Sequence, residues 1–263
     1  MSSQGRPKGE HRSAQHAGCL VSTAARAVAA KPSLSRERIL SGTLALIDRD
    51  GVAALSLRGL ARSLGVFPTA IYWHVPNRNE LIGGAVALAL RQVGAEPPGG
   101  PWQSRLRALF RRFRKAVRRH PHLAPVIGHE LVSNGALDLP MLEQIVGALE
   151  DAGFDAEALV EAYNVVVAAL CGFVTLELAA LPADEPRAWA QAHRARLAQI
   201  PRADHPALAR HLDRLRDRAF ILRWSPGTTK PMTASFEAWI DVVITGLEAR
   251  AARTAAQRAE LGK

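Results

Sequence analysis

A glycine and a proline stand three positions apart in Gly65-Val66-Phe67-Pro68, between two short apolar stripes, and this punctuation leaves the chain little freedom. Ahead of it, Leu57, Leu60, Ala61 and Leu64 fall at helical spacing, Ser56 is placed to cap them, and Arg58 and Arg62 point off the stripe. Gly65 ends that helix as glycine past a helix end does, and Pro68 opens the next because its missing N–H would have had no partner in a first turn. Upstream, Ser35 as a cap, Glu37 in the first turn and the pairs Ile39/Leu40, Thr43/Leu44 and Leu46/Ile47 predict a helix ended by Gly51. Downstream, Asn77 with Glu80 resembles a capping box, so another helix starts straight after Val75-Pro76. A turn this short fixes the crossing angle and leaves the helix carrying Tyr72, Trp73 and His74 prominent, with Val66, Ile71 and Val75 assigned to the core.

The run Ala54-Leu55-Ser56-Leu57-Arg58-Gly59-Leu60-Ala61-Arg62-Ser63-Leu64-Gly65-Val66, followed by Ile71-Tyr72-Trp73-His74-Val75-Pro76-Asn77-Arg78, resembles the DNA-binding domain of the tetracycline-repressor (TetR) family. The likeness covers about 48 residues, Ser35 to Ile82, centred on a helix-turn-helix. Phe67 stands where that family often has a small polar cap, and Gly59 where it often has a long side chain. The resemblance implies a homodimeric, ligand-responsive repressor on a double-stranded operator, released by a small-molecule effector and needing no cofactor. It also implies roles: Arg58, Thr69, Ala70 and Trp73 toward base edges, and Ser56, Tyr72, His74 and Arg78 toward phosphate or groove edge. Pro68 and Ala70 offer only apolar contact, for instance to a thymine methyl. Packing of Tyr72 and His74 within the small head is the competing reading.

Charge agrees without deciding. The net +10 divides into +4 over residues 1–34 (five Lys/Arg, one Glu), +2 over 35–82 (six against four) and +4 over 83–263 (23 against 19). A head of +2 is no indiscriminate clamp, so groove geometry must act beside phosphate attraction. This weighs against a non-specific architectural DNA binder, the first alternative; a helical small-molecule-binding protein or enzyme without operator function is the second. Catalysis finds no footing: there is no phosphate-cradling glycine loop, no Cys-x-x-Cys, and Gly128-His129-Glu130-Leu131 lacks the second histidine of a zinc helix. His120, His122 and His129 read as scattered surface or pocket residues, and Cys171 as a small core residue. No catalytic or metal site is expected.

Aromatics are only 5% of a chain that is 48% hydrophobic, which predicts an all-α fold: a three-helix head and a larger helical body. The expected division is a disordered extension over 1–34, with a DNA-touching arm as its alternative, a DNA-binding domain over 35–82, a ligand-binding and dimerisation domain over 83–253, and a tail over 254–263. The arginine run from Arg107 to Arg119, beside the stripe Leu106, Leu109, Phe110, Phe113 and Val117, reads as a solvated face, with a secondary DNA or anion contact as its alternative. From Val165 to Val174 a helix capped by Asp155 is apolar all round and must be covered on every side. In the family's manner it pairs with the segment Thr233–Leu247 in a four-helix dimer interface of Val167, Leu170, Val174, Phe236, Trp239, Ile240, Val243 and Leu247. The connection 182–231, with amphipathic pieces near 187–200 and 206–223, reads as a cover or entrance, or as a tolerated insertion. An effector pocket is expected around Phe110, Phe113, His129, Leu142, Ile145, Asn164 and Phe173. No stretch reads as a signal peptide or a membrane span of about 20 apolar residues, so a cytoplasmic protein is expected.

Overall fold

The computed structural model describes residues 34–94, 99–133, 138–182 and 184–261; the expectations for 1–33 lie outside them. The head consists of α1 (Arg36–Asp50), α2 (Leu57–Leu64) and α3 (Pro68–Tyr72), and α4 (Arg78–Leu90) leads from it into the body. Each start is capped as the sequence dictates. The Ser35 hydroxyl accepts from Arg38 N at 3.2 Å, Ser56 from Gly59 N at 3.1 Å, and Asn77 Oδ1 from Glu80 N at 2.9 Å. Gly65 closes α2 in the left-handed region at φ 67, a conformation that would strain a side chain, while its neighbour Val66 N reaches Ala61 O at 3.0 Å.

The body is built from α5 (Trp102–Arg119), a 3-10 turn Pro121–Leu123, α6 (Ala124–Ser133), α7 (Leu139–Asp151), α8 (Ala156–Glu177), α9 (Pro186–Ala198), α10 (Pro206–Leu215) and α11 (Thr233–Leu261). One apolar core runs from Ile39, Leu60 and Ile71 in the head, along α4, to Phe110, Phe113, Ile145, Val166 and Phe173 in the body. Each of these fully buried side chains contributes about 1.5–3 kcal/mol, so α4 is held on both sides by apolar contact as well as by chain continuity. Residues 254–261, expected as a tail, are the last turns of α11. Asp155 stands at the N-cap of α8, but its carboxylate pairs with Arg258 of α11 and makes no cap bond.

The arginine run of α5 departs from the expected solvated face. Arg105 pairs with Asp151 of α7, Arg107 with Asp241 and Arg111 with Glu237 of α11, and Arg112 donates to Val93 O at 2.8 Å and to Gln144 at 2.7 Å. Arg114 makes a two-pronged contact with the buried Glu177 of α8, at 2.8 and 2.6 Å, and Arg118 adds a third at 3.3 Å. These residues tie helices together because every acid facing α5 comes from a segment far along the chain.

The connection 182–231 is folded. α9 and α10 fill its first part, and a tight turn centred on Asp217 (φ 53) closes the rest. Asp217 accepts from Trp224 N at 3.0 Å, Ser225 N at 2.8 Å, the Ser225 hydroxyl at 2.7 Å and Lys230 Nζ at 2.7 Å. Burial pushes its carboxyl pKa up, but Lys230, the Ser225 hydroxyl and the two amides outweigh that and hold it down at about 2. A carboxylate depressed in the fold stabilises it fully above the ordinary value of about 3.9 and loses that contribution as pH falls toward 2. Asp217→Ala is expected to open this turn alone, since hydrogen bonds to a charged group are worth about 1.5–3 kcal/mol each. Limited proteolysis at neutral pH checks it: cleavage should rise between residues 216 and 230 while the head stays protected.

Candidate nucleic-acid interface

The α2–turn–α3 unit buries one side and presents the other. Ile71 and Val75 are fully buried against the head core, as are Leu60 and Ala61. On the opposite side Phe67 is 81% exposed and Trp73 89%, with Tyr72, Thr69 and His74 also exposed and Pro68 and Ala70 half-buried. A tryptophan buries roughly 150–250 Å² when packed, so leaving one in water forgoes a large stabilisation that core packing would have taken. This face is shaped for contact outside the protomer.

Its electrostatics point the same way. The head's acids are engaged: Glu37 with Arg91, Asp48 with His120, Asp50 with Arg49, and Glu80 with the Asn77 amide. Arg58 and Arg62, both exposed on α2, have no hydrogen-bond or ion-pair partner among the described residues. The free positive charge of α2 thus sits on the helix that packs against α3, which bears the exposed aromatics. Ser56 is committed to its cap through Gly59 N.

Arg78 has a different position from the one its sequence suggests. Its Nε donates to Leu55 O at 3.2 Å and its Nη2 to Val52 O at 2.6 Å, so it braces the α1–α2 loop against the start of α4. Two exposed residues beside the site were missed by sequence reasoning, Phe67 and Arg62. For Phe67 the signal was its place at a helix start with no side-chain cap; for Arg62 it was the four-residue spacing from Arg58.

The body grips the head at two further points. His120 Nδ1 lies 2.8 Å from Asp48 Oδ2, and His122 Nδ1 donates to Ile47 O at 2.9 Å, both at the end of α1. These two histidines are therefore joints, apart from His129 on α6. Among the described residues no group of three or more His, Cys, Asp or Glu side chains is placed to hold a metal ion. Burial pushes the Cys171 thiol up to about 11, which keeps it protonated and unreactive at neutral pH.

The residues expected to wall an effector pocket are scattered. Phe110, Phe113, Ile145 and Phe173 are packed in the core, Leu142 is half-buried, and His129 on α6 and Asn164 on α8 are exposed. Open clefts flank α4 instead, one of about 760 Å³ along Leu40, Gly84, Leu88 and Leu139, another of about 400 Å³ along Ala89, Val93, Arg112 and Ala116.

The expected interface residues also need correcting. Leu170, Val174, Phe236, Ile240, Val243 and Leu247 are buried inside the protomer, where α8 and α11 pack on each other and on α5, and Val167 is half-buried. Trp239 alone of that set is on the outer side, its indole N–H donating to Ala169 O at 3.3 Å. The exposed apolar positions are Val160, Val165 and Leu176 on α8 and Trp239 and Val242 on α11, interleaved with Ala168, Gly172, Ala238 and Gly246. α8 is long and apolar enough to cross a membrane, yet its inner face packs on α5, α6, α7 and α11.

Two family patterns cover this architecture. "Bacterial regulatory proteins, tetR family" matches residues 39–84, and "Tetracyclin repressor-like, C-terminal domain" matches residues 94–251. The chain belongs to the TetR family. It is a DNA-binding transcriptional regulator on that family's ligand-responsive repressor plan. A relative, an HTH-type transcriptional regulator of Saccharopolyspora erythraea, is 32% identical over 183 residues, 68% of this chain and 75% of its own length. The fold matches a TetR transcriptional regulator from Streptomyces coelicolor with a TM-score of 0.63 at 22% identity, over 83% of this chain and 99% of that one. It also matches BioQ bound to its natural double-stranded DNA operator, with a TM-score of 0.51 at 26% identity, over 56% of this chain and 87% of that one.

Proposed function

We propose that this TetR-family protein is a homodimeric repressor that sets α3 of each subunit into successive major grooves of an inverted-repeat operator. The observation that carries the reading is the exposed face of Phe67, Tyr72 and Trp73 beside the unpartnered Arg58 and Arg62. The outer stripe of α8 and α11 supplies the dimer contact, and two-fold symmetry then sets the half-sites about 34–36 Å apart, or a multiple of that. A small-molecule effector bound in the body releases the operator through α4, whose position between head and body lets a small rotation alter the separation of the two α3 helices. Each tenfold loss of DNA affinity requires about 1.4 kcal/mol of such coupling. The protein works in the cytoplasm, without membrane, cofactor or catalysis.

Selection of bound duplexes from a random library tests this. An inverted repeat is expected. Arg58→Ala is expected to cost about 1–3 kcal/mol and to relax preference at one position of each half-site, as loss of a two-pronged guanine contact does. Binding without sequence preference, collapsing with salt, would instead describe an architectural protein.

A further inference from the structure

The connection 182–231 closes over the C-terminal end of α8 around a cavity of about 240 Å³. Its walls are mostly apolar, with Leu176, Leu181, Pro182, Trp189, Phe220 and Ile221, and Glu177 and Ser225 also line it. Arg223 lines the same space. Its Nε donates to Ser225 O at 3.0 Å and its Nη2 to Lys230 O at 2.9 Å, which fixes the plane of the guanidinium. The remaining Nη1 is buried without a hydrogen-bond partner among the described residues. A buried donor of this kind is costly and uncommon, and a charged one more so.

Neither neighbouring carboxylate answers it. Glu177 is taken by Arg114, Arg118 and the Met232 N–H, and Asp217 by Lys230, Ser225 and the Trp224 N–H. One cation in an apolar enclosure selects a guest with an apolar body and a single anionic head. A carboxylate suits the planar guanidinium, meeting two of its N–H groups at once. At the roughly 30 Å³ that each water takes in the liquid, the cavity has space for roughly eight waters, which suits a molecule the size of octanoate.

The lip of the cavity is strained. Ile221 is β-branched, holds φ at +70 and is 88% exposed, a combination that neither packing nor backbone preference favours. Because Ile221 is so exposed, displacing this lip sacrifices little packing. The cavity also touches the framework of the body. A Cβ on Gly227 would sit 2.0 Å from the Glu177 carbonyl oxygen, so only glycine lets the loop approach α8 this closely, and the Gly227 carbonyl accepts from Arg118 of α5 at 2.9 Å.

We propose that this cavity is a binding site for a small amphiphilic carboxylate, with Arg223 holding the head group and Trp189 and Phe220 the apolar body. Binding stands by itself; that the ligand acts as the effector rests on the repressor reading above.

Calorimetric titration of the full chain with octanoate and with octan-1-ol tests the site. Octanoate should bind at least tenfold more tightly than the alcohol, Arg223→Gln should erase that preference, and Ala180→Trp, which adds bulk to the cavity wall, should weaken both at least tenfold. Equal binding of the two probes to the unaltered protein, or unchanged octanoate affinity in Ala180→Trp, overturns the site. Operator titrations with and without octanoate then address coupling: weaker DNA binding supports the effector role, and unchanged DNA affinity with octanoate bound overturns that role while the site stands. Failure to bind DNA in the absence of octanoate would count against the regulator reading and leave the site untouched.

Discussion

Val242→Glu is expected to leave each protomer folded and take the dimer apart. Val242 is 67% exposed on α11, at helical spacing from Trp239 and Gly246, and Val165 on α8 is exposed as well. A folded protomer therefore tolerates a carboxylate there. In the dimer proposed above the same position is desolvated, and an unpaired buried charge costs about 3–5 kcal/mol. At 1.4 kcal/mol per power of ten, dissociation strengthens by roughly two to four powers of ten, and more because a two-fold interface presents the change twice. Operator affinity falls with it, since each head then binds its half-site alone. Val243→Glu, one residue on but inside the protomer core, should unfold the chain instead. Sedimentation with circular dichroism separates the two. A folded Val242→Glu protein that stays dimeric at low micromolar concentration would move the interface elsewhere.

That contrast also shows which parts of the fold a sequence discloses. The head was legible because its determinants are local: Ser35, Ser56, Gly65 and Asn77 each act across three to five residues, a distance the eye can follow along the chain. Faces of the body helices were not legible in the same way. Val165, Val166 and Val167 are consecutive and chemically alike, yet one is exposed, one buried and one half-buried, and only the positions of α5, α7 and α11 decide which. On α11 the stronger stripe, Phe236, Ile240, Val243 and Leu247, serves the protomer's own core, while the outer stripe is diluted by Ala238 and Gly246 and gives a weaker pattern. The arginines of α5 were visible as charges, but their acidic partners lie 46 to 134 residues away, from Asp151 to Asp241. The bracing bonds of Arg78 were hidden for a related reason: its partners are backbone carbonyls, which no side-chain pattern announces.

Glu177→Ala is expected to be the most destabilising single change in the body. Its carboxylate is fully buried at the point where α8, α5 and the start of α11 meet, accepting from Arg114, from Arg118 and from Met232 N at 2.8 Å. Arg114 lies in addition over the Phe236 ring, 4.6 Å from its centre. Removing the acid strands two guanidinium groups, one of them buried, and breaking a buried pair from one side costs about 3–5 kcal/mol, a large share of the 5–15 kcal/mol that holds most domains folded. At about 2–4 °C per kcal/mol for a chain of this size, the melting temperature should fall by roughly 6–20 °C. Burial raises the pKa of Glu177, but the bonds from Arg114 and Met232 N and the charges of Arg114 and Arg118 outweigh it and hold the group below its ordinary value. Its contribution is therefore complete above the unfolded value of about 4.3 and is lost as pH drops below that. Melting curves between pH 3 and 7 should show the acid decline of the unaltered protein flattened in Glu177→Ala. Replacing the buried pair, Glu177→Leu with Arg114→Met, should recover part of the loss, because the one charge left behind, Arg118, is partly exposed and keeps its bond to Gly227 O. A melting temperature for Glu177→Ala within 2 °C of the unaltered protein would mean that water reaches this cluster and that the three helices are held together by apolar contact alone.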